Sequence, residues 1–323
     1  MSLWKSDRVT IIAEIGSNHN GDFETACRLI DVAADAGADI VKFQSYLVDD
    51  LLEPASPHYE TMKQLQLPKT WYPKLIDYAQ QKGLLFLSTA TNPTTMQWME
   101  DYGVKGYKVA SGNVSVYPLL DKLVDIGKPV ILSTGMTTLD ELLEIDARFT
   151  SSNVPHAFLH CVSKYPTPAK DMALKNISVL QALFHCPIGL SDHSEDVHMA
   201  VAAVALGARI VEKHISLDKQ GLGLDHEVAV LPDRFKRMCT LIRDTETALH
   251  ANFILDKKLC FQYRRSIRFT RDLDVGSVLK AGDLKITRPE DGLHPKYFDA
   301  LIGRKLVDAV SRDTPTCWEQ FGE

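Results

Sequence analysis

Eight short apolar runs recur along the first 250 residues, each followed by a polar, helix-patterned segment. They centre near residues 12, 41, 86, 108, 131, 159, 188 and 211. Apolar runs of this length read as buried strands, and apolar residues spaced three and four apart read as one face of a helix. In 22–36 that face is Ala26, Leu29, Ile30 and Ala33, and Gly37 closes the helix. Segments 71–81, 94–101, 117–125, 139–149, 176–184 and 233–250 are helical as well. Strands joined through helices pair in parallel. Eight β/α units in about 250 residues match an α/β chain closed into a (β/α)8 (TIM) barrel. A doubly wound open sheet is the alternative, but no GxGxxG turn follows the first strand. Residues 46–68 exceed an ordinary βα connection and are expected to be a long polar loop with a functional part.

The pattern changes near residue 250. We read 1–250 as the barrel, 251–263 as a linker and 264–323 as a compact, mostly β domain of short apolar pieces between turn residues. So small a domain has a small core and is marginal alone.

The 323 residues carry a net charge of −6, which gives no general attraction to nucleic acid or anionic membrane. An anionic substrate must then be held by a local cluster of cations. No apolar run reaches the ~20 residues of a membrane span, and MSLWKSDRVT has no secretory apolar region. The six cysteines (27, 161, 186, 239, 260 and 317) form no CxxC pair, so reduced thiols and a cytoplasmic location are expected. Cys161, at a strand end, could face the site, but a buried structural thiol is the expectation.

Barrel active sites lie at the carboxyl ends of the strands. In 187–214 a strand, a helix and a strand follow one another, with His193 and His214 at the two strand exits. Neighbouring parallel strands run about 4.8 Å apart, so two such imidazoles can converge on one ion. The plainer alternative is that each merely caps its strand. The other exits offer Glu14, Lys42 with Gln44, Ser88 with Thr89, Lys108 with Ser111 and Asn113, Ser133 with Thr134, and His160. Ser163, Lys164 and Tyr165 lie beyond His160; Ser191 and Asp192 precede His193; Asp225 and His226 follow the last strand. Lysines are costly to bury unpaired, yet Lys42 and Lys108 sit inside apolar strands. Two ammoniums among several hydroxyls suit a phosphate or carboxylate. A buried Lys42–Glu14 ion pair and a Schiff-base lysine are the alternatives. Glu14 is a candidate general acid or base, or a positioning partner. His19 and His160 read as core or loop histidines.

The stretches AEIGSNHNGD (13–22), GADIVKFQS (37–45), YKVASGN (107–113), ILSTGM (131–136), LHCVSKYPTP (159–168), GLSDH (189–193), ALGARIVEKH (205–214) and LDHEV (224–228) resemble the sialic acid (N-acetylneuraminate) synthase family. The C-terminal part resembles that family's SAF, or antifreeze-like, domain. The resemblance implies a transferase in which phosphoenolpyruvate condenses with the aldehyde of an N-acyl amino sugar, giving a nine-carbon 2-keto acid and phosphate. It implies His193 and His214 as ligands of a divalent metal, Mn2+ first, with Mg2+ or Co2+ as alternatives. Glu14 would sit with these two histidines at the reacting carbons. Lys42, Lys108, Ser111, Ser133, Ser163 and Ser191 would hold phosphoenolpyruvate. Gln44, Asn113, Tyr165, Asp225 and Arg288 would face the sugar, with Arg288 reaching a neighbouring subunit's barrel in a domain-swapped homodimer.

Two positions depart from the family pattern. Asn113 stands where the SGE motif has Glu, which leaves the sugar open: N-acetylmannosamine, its 6-phosphate, or a 2,4-diacetamido-hexose on the way to legionaminic- or pseudaminic-type acids. Ser163 stands where some members have Asn, and Lys164 beside it offers a further charge. A condensing enzyme for another aldehyde and a non-catalytic sugar-binding barrel are the rival readings.

Overall fold

The structure is a computed structural model and describes residues 3–5 and 7–322. Met1, Ser2 and Ser6, on which the N-terminal reading partly rests, and Glu323, the end of the expected C-terminal domain, lie outside the described residues. The chain divides into one unit ending at His250 and a second beginning at Ala251.

In the first unit, eight parallel strands close into a barrel. They are β1 (Thr10–Gly16), β2 (Ile40–Ser45), β3 (Leu85–Ala90), β4 (Tyr107–Val109), β5 (Val130–Ser133), β6 (His156–Cys161), β7 (Ile188–Asp192) and β8 (Ile210–His214). The outer layer is α1 (Phe23–Ala36), α2 (Tyr59–Leu65), α3 (Tyr72–Gln81), α4 (Pro93–Asp101), α5 (Tyr117–Ile126), α6 (Leu139–Ser151), α7 (Asn176–Leu183), α8 (His198–Ala205) and α9 (Pro232–His250). Local sequence fixes the helix starts. The Asp22 side chain accepts from the Thr25 N–H, Asn92 accepts from Thr95, and Thr138 with Glu141 makes a reciprocal cap on α6. Gly37 ends α1 at φ 87°, a conformation that costs glycine little.

Side chains alternate across each strand, and this alternation builds the site. The positions facing the barrel interior form an apolar lower layer: Ile12, Ile40, Leu87, Ile131, Ala157, Leu159 and Ile210, packed with Leu3. Gly189 is needed in this layer, because a Cβ there would lie 2.3 Å from the Ile210 carbonyl oxygen and 2.6 Å from Leu159. Two residues further along each strand the interior becomes polar. Register then sets the neighbours: Glu14 pairs with both Lys42 and His214, Thr89 with Lys108, and Ser191 with Glu212.

The 46–68 segment is not wholly loop. It holds a 3-10 turn, Val48–Asp50, and α2, anchored by buried Tyr59 and Leu65. Seven residues are too few to display a helical period. The 251–263 stretch is likewise more than a linker: it contains α10 (Lys257–Tyr263), whose Asp256 cap accepts from the Lys258 and Leu259 N–H groups.

In the second unit, β9 (Ser266–Phe269) and β10 (Leu284–Thr287) form an antiparallel pair, followed by α11 (Phe298–Leu301). The expected β character takes the form of this sheet plus isolated bridges such as Leu273 to Val310 and Leu306 to Phe321. Ile267, Phe269, Leu279, Leu284, Leu301 and Leu306 are the centre of its core. Among the described residues no helix is long and apolar enough to cross a membrane.

Candidate active site

A cavity of about 210 Å³ opens at the carboxyl ends of the strands. Its floor is a row of alternating charges. Lys42 Nζ lies 2.8 Å from Glu14 Oε1 and 3.9 Å from Glu212 Oε2, and Lys108 Nζ lies 3.4 Å from Glu212 Oε1. All four side chains are at most 4% exposed. Ser133 accepts from Lys108 Nζ at 2.7 Å, and Ser191 donates to Glu212 at 2.9 Å. The sequence alternative of a Lys42–Glu14 ion pair is therefore present, as part of a larger network.

The network settles who holds charge. Burial would raise the Glu212 carboxyl, but Lys108, Lys42 and the Ser191 hydroxyl outweigh it and bring it down to about 2. Burial likewise opposes the Lys42 charge, yet Glu14 and Glu212 keep its ammonium above the ordinary lysine value. Lys108 goes the other way: burial lowers it, and Glu212 offsets that only in part. Burial lifts the Glu14 carboxyl above its usual range despite Lys42 and His214. Glu14 is thus the carboxyl in the row that most readily keeps a proton, and its Oε2 is buried with no hydrogen-bond partner.

Beside this row sit the two histidines, their ring centroids 5.5 Å apart. His193 Nδ1 is 2.9 Å from the Val162 carbonyl oxygen. A carbonyl only accepts, so Nδ1 carries the hydrogen and Nε2 presents a lone pair. The Tyr165 hydroxyl donates to that Nε2 at 3.0 Å while its ring stacks at 4.1 Å. Burial, reinforced by His214, lowers His193 to about 4, so the ring is neutral near pH 7. His214 Nδ1 is buried without a hydrogen-bond partner and lies 3.8 Å from Asp225 Oδ2. A neutral His193, whose Nε2 lone pair meets only a tyrosine hydroxyl, and the unpartnered ring nitrogen of His214 fit a divalent metal.

The loop that carries His193 is braced from behind. Lys213 and Asp192 point away from the interior, are fully buried, and pair at 3.0 Å. Lys213 Nζ also donates to the Ser194 and Asp196 carbonyls. Gln44 Nε2 bridges Glu14 and Asp225 at 3.1 Å each. That bridge needs Gly16, at φ +54°, because a Cβ there would come within 2.8 Å of Asp225 and 3.0 Å of Gln44.

Most of the residues expected at the site meet here. Glu14, Lys42, Gln44, Lys108, Ser111, Asn113, Ser133, Tyr165, Ser191, His193 and His214 all line the cavity. Asp225 reaches it through Gln44, and Ser163 is held 2.9 Å from the Ser111 hydroxyl. Lys164 is not part of it; its exposed ammonium pairs with Asp171 at 2.6 Å. His160 turns outward to the Met172 carbonyl, and His19 packs against the Phe43 and Trp71 rings. Arg288 belongs to the second unit, where it lies over the Tyr263 ring and donates to the Tyr263 carbonyl. Cys161 lines the cavity rather than serving only as packing, with Sγ 3.8 Å from His193 Nδ1. Glu212 is the main residue that sequence reasoning missed. The signal was available: two positions before His214 on β8, it faces the same side.

The NeuB family matches residues 29–252 and the SAF domain matches 264–321. The chain is 31% identical to the N,N'-diacetyllegionaminic acid synthase of Campylobacter jejuni, over 95% of this chain and 98% of the relative. It is 34% identical to a pseudaminic acid synthase of the same species, over 92% of each. Human N-acetylneuraminate-9-phosphate synthase is 31% identical, over 94% of this chain and 90% of that protein. Among solved structures, a sialic acid synthetase from Leptospira borgpetersenii, crystallised with citrate, superposes with a TM-score of 0.74. It is 33% identical and covers 78% of this chain and 89% of its own.

Proposed function

Because the chain belongs to the NeuB family and carries a SAF domain, we propose that it is a phosphoenolpyruvate-dependent synthase of sialic-acid-type 2-keto acids. The observation that carries this reading is the buried row Glu14–Lys42–Glu212–Lys108, with Ser133 and Ser191 attached, beside the paired rings of His193 and His214. In the reaction, C3 of phosphoenolpyruvate adds to the aldehyde carbon, and the aldehyde oxygen takes a proton. Water adds at C2, the bond from C2 to the bridging oxygen breaks, and phosphate leaves with that oxygen. Phosphoenolpyruvate, aldehyde and water thus give one 2-keto acid and one phosphate.

Lys42 and Lys108, with Ser111, Ser133, Ser163 and Ser191, are assigned to the phosphate and carboxylate of phosphoenolpyruvate. Charged donors and hydroxyls together suit such anions. Glu14 is assigned the proton on the aldehyde oxygen. His193 and His214 would hold the divalent metal, Mn2+ by family expectation, which when bound supplies Lewis acidity toward a carbonyl. Gln44, Asn113, Tyr165, Asp225 and the Arg288 of the SAF domain are assigned to the sugar. The homodimer implied by the family is part of the proposal, and sedimentation velocity of the full chain tests it.

The sugar is read as an unphosphorylated N-acyl amino sugar. Among the described residues that line the cavity, Lys42 and Lys108 are the only lysine or arginine side chains, and both are assigned to phosphoenolpyruvate, which leaves no lining cation for a second phosphate. Tyr46, Leu51 and Met62 give the lining an apolar side suited to acetamido methyls. Phosphate release from phosphoenolpyruvate with Mn2+ and a sugar panel tests this. N-acetylmannosamine and 2,4-diacetamido-hexoses should outperform N-acetylmannosamine 6-phosphate; a preference for the 6-phosphate would reverse the assignment.

A further inference from the structure

At the opposite end of β6 from the cavity, three potential ligands of different chemistry meet: Asp146 of α6, His156 at the start of β6, and Cys186 between α7 and β7. Five residue steps along β6 separate His156 from Cys161, roughly 16 Å at the usual strand rise. Hence this cluster is separate from the histidines of the active cavity.

His156 is buried between the rings of Phe149 and Phe158, each with its centroid 5.5 Å away. Its Nδ1 lies 3.1 Å from the Val154 carbonyl oxygen. A carbonyl can only accept, so Nδ1 carries the hydrogen, and Nε2 of the neutral ring is a lone pair. That lone pair faces Asp146 Oδ1 at 2.8 Å. This is hydrogen-bond distance, so without metal a hydrogen bridges the two atoms, and an ion taking its place would move them a few tenths of an ångström apart. One ligand atom from each of Asp146, His156 and Cys186 lies within 4.8 Å of the other two.

We propose that Asp146, His156 and Cys186 form a second metal site, for Zn2+ or a cation of similar size and softness. One nitrogen, one oxygen and one sulfur suit such a borderline-soft ion, and the backbone bond at Nδ1 is the orienting contact that metal-bound histidines usually have. Asp146 and Cys186 are partly exposed, which leaves room for water as a fourth ligand. Without metal the thiol keeps its proton, pushed up to about 12 by burial and by Asp146. Binding therefore displaces the thiol proton. The ion ties α6 to the starts of β6 and β7, a structural clamp rather than part of catalysis.

The test uses the full chain carrying His193→Ala and His214→Ala, stripped with chelator and titrated with Co2+. The expected result is one Co2+ per chain and a thiolate-to-cobalt charge-transfer band. Cys186→Ser and, separately, His156→Gln should each weaken binding at least about 100-fold and remove or diminish the band. Cys161→Ser should leave both unchanged. Absence of the band in the parent, or its survival in Cys186→Ser, overturns the proposal. A second measurement needs no substitution at the cluster. Saturating Zn2+ should slow alkylation of Cys186, read by peptide mass, at least tenfold; an unchanged rate means that a His–Asp hydrogen bond beside a free thiol is all that is there.

Discussion

Glu212 stands between two buried ammoniums, with one oxygen 3.4 Å from Lys108 Nζ and the other 3.9 Å from Lys42 Nζ. Lys108 depends on it, because a buried ammonium without a counter-charge is costly, and Lys42 shares it with Glu14. Glu212→Gln keeps the shape and removes the charge. We expect a loss of about 3–5 kcal/mol of stability and a fall in kcat/KM of at least about 100-fold, equivalent to roughly 3 kcal/mol. Urea unfolding and steady-state kinetics measure the two. Wild-type values in both would mean that the row is not a coupled unit.

Lys213 lies on the outward side of β8 and holds the loop of His193 through Asp192, Ser194 and Asp196. Lys213→Met strands a fully buried carboxylate and should cost about 3–5 kcal/mol. The double change Asp192→Asn with Lys213→Met should recover part of that. Metal affinity, measured by calorimetry, should fall in both variants because His193 loses its brace. Unchanged metal affinity would confine Lys213 to packing.

Asp39 carries the pH dependence of the barrel's lower end. Its carboxylate meets Lys5 at 2.7 Å, Arg243 at 3.1 Å, Arg8, and the Ile11 N–H at 3.0 Å. Burial alone would raise it, but these partners win and hold it below the ordinary 3.8. A carboxylate held down in the fold contributes stability above its unfolded value, and that contribution fades as pH falls through the folded one. Asp39→Asn should therefore cost about 1–3 kcal/mol at pH 7, with the gap to wild type closing below pH 3.8. Denaturant melts across that range check it; a gap that widens in acid contradicts the assignment.

His214→Ala should abolish metal-dependent turnover, and chelator treatment of the wild type should do the same reversibly. The fold should survive, since a strand-exit side chain adds little to the packed layer below. The melting temperature should move by no more than about 4 °C, the effect of roughly 1 kcal/mol in a domain of this size. Global unfolding of the variant would instead mark His214 as a structural residue.

The barrel was legible because each strand and helix carries its own period, and Glu14, Lys42, Lys108, His193 and His214 because each lies within or just after an apolar run. Glu212 carries no motif of its own, and only alternation along β8 shows that it turns inward. Of the two readings open for Cys161, the one facing the site holds: alternation on β6 brings it to the cavity beside His193. α2 and α10, of seven residues each, are shorter than two helical periods and left no pattern. The bridging of Gln44 to Asp225 depends on a left-handed Gly16 and on a loop after β8, contacts set by tertiary structure that no local rule displays.

The proposed chemistry is tested most directly with phosphoenolpyruvate carrying oxygen-18 at the bridge between C2 and phosphorus. With Mn2+ and an accepted N-acyl amino sugar, the released phosphate should carry the label, one per 2-keto acid formed. No phosphate release with any sugar of the panel, or label retained in the keto acid, would contradict the account.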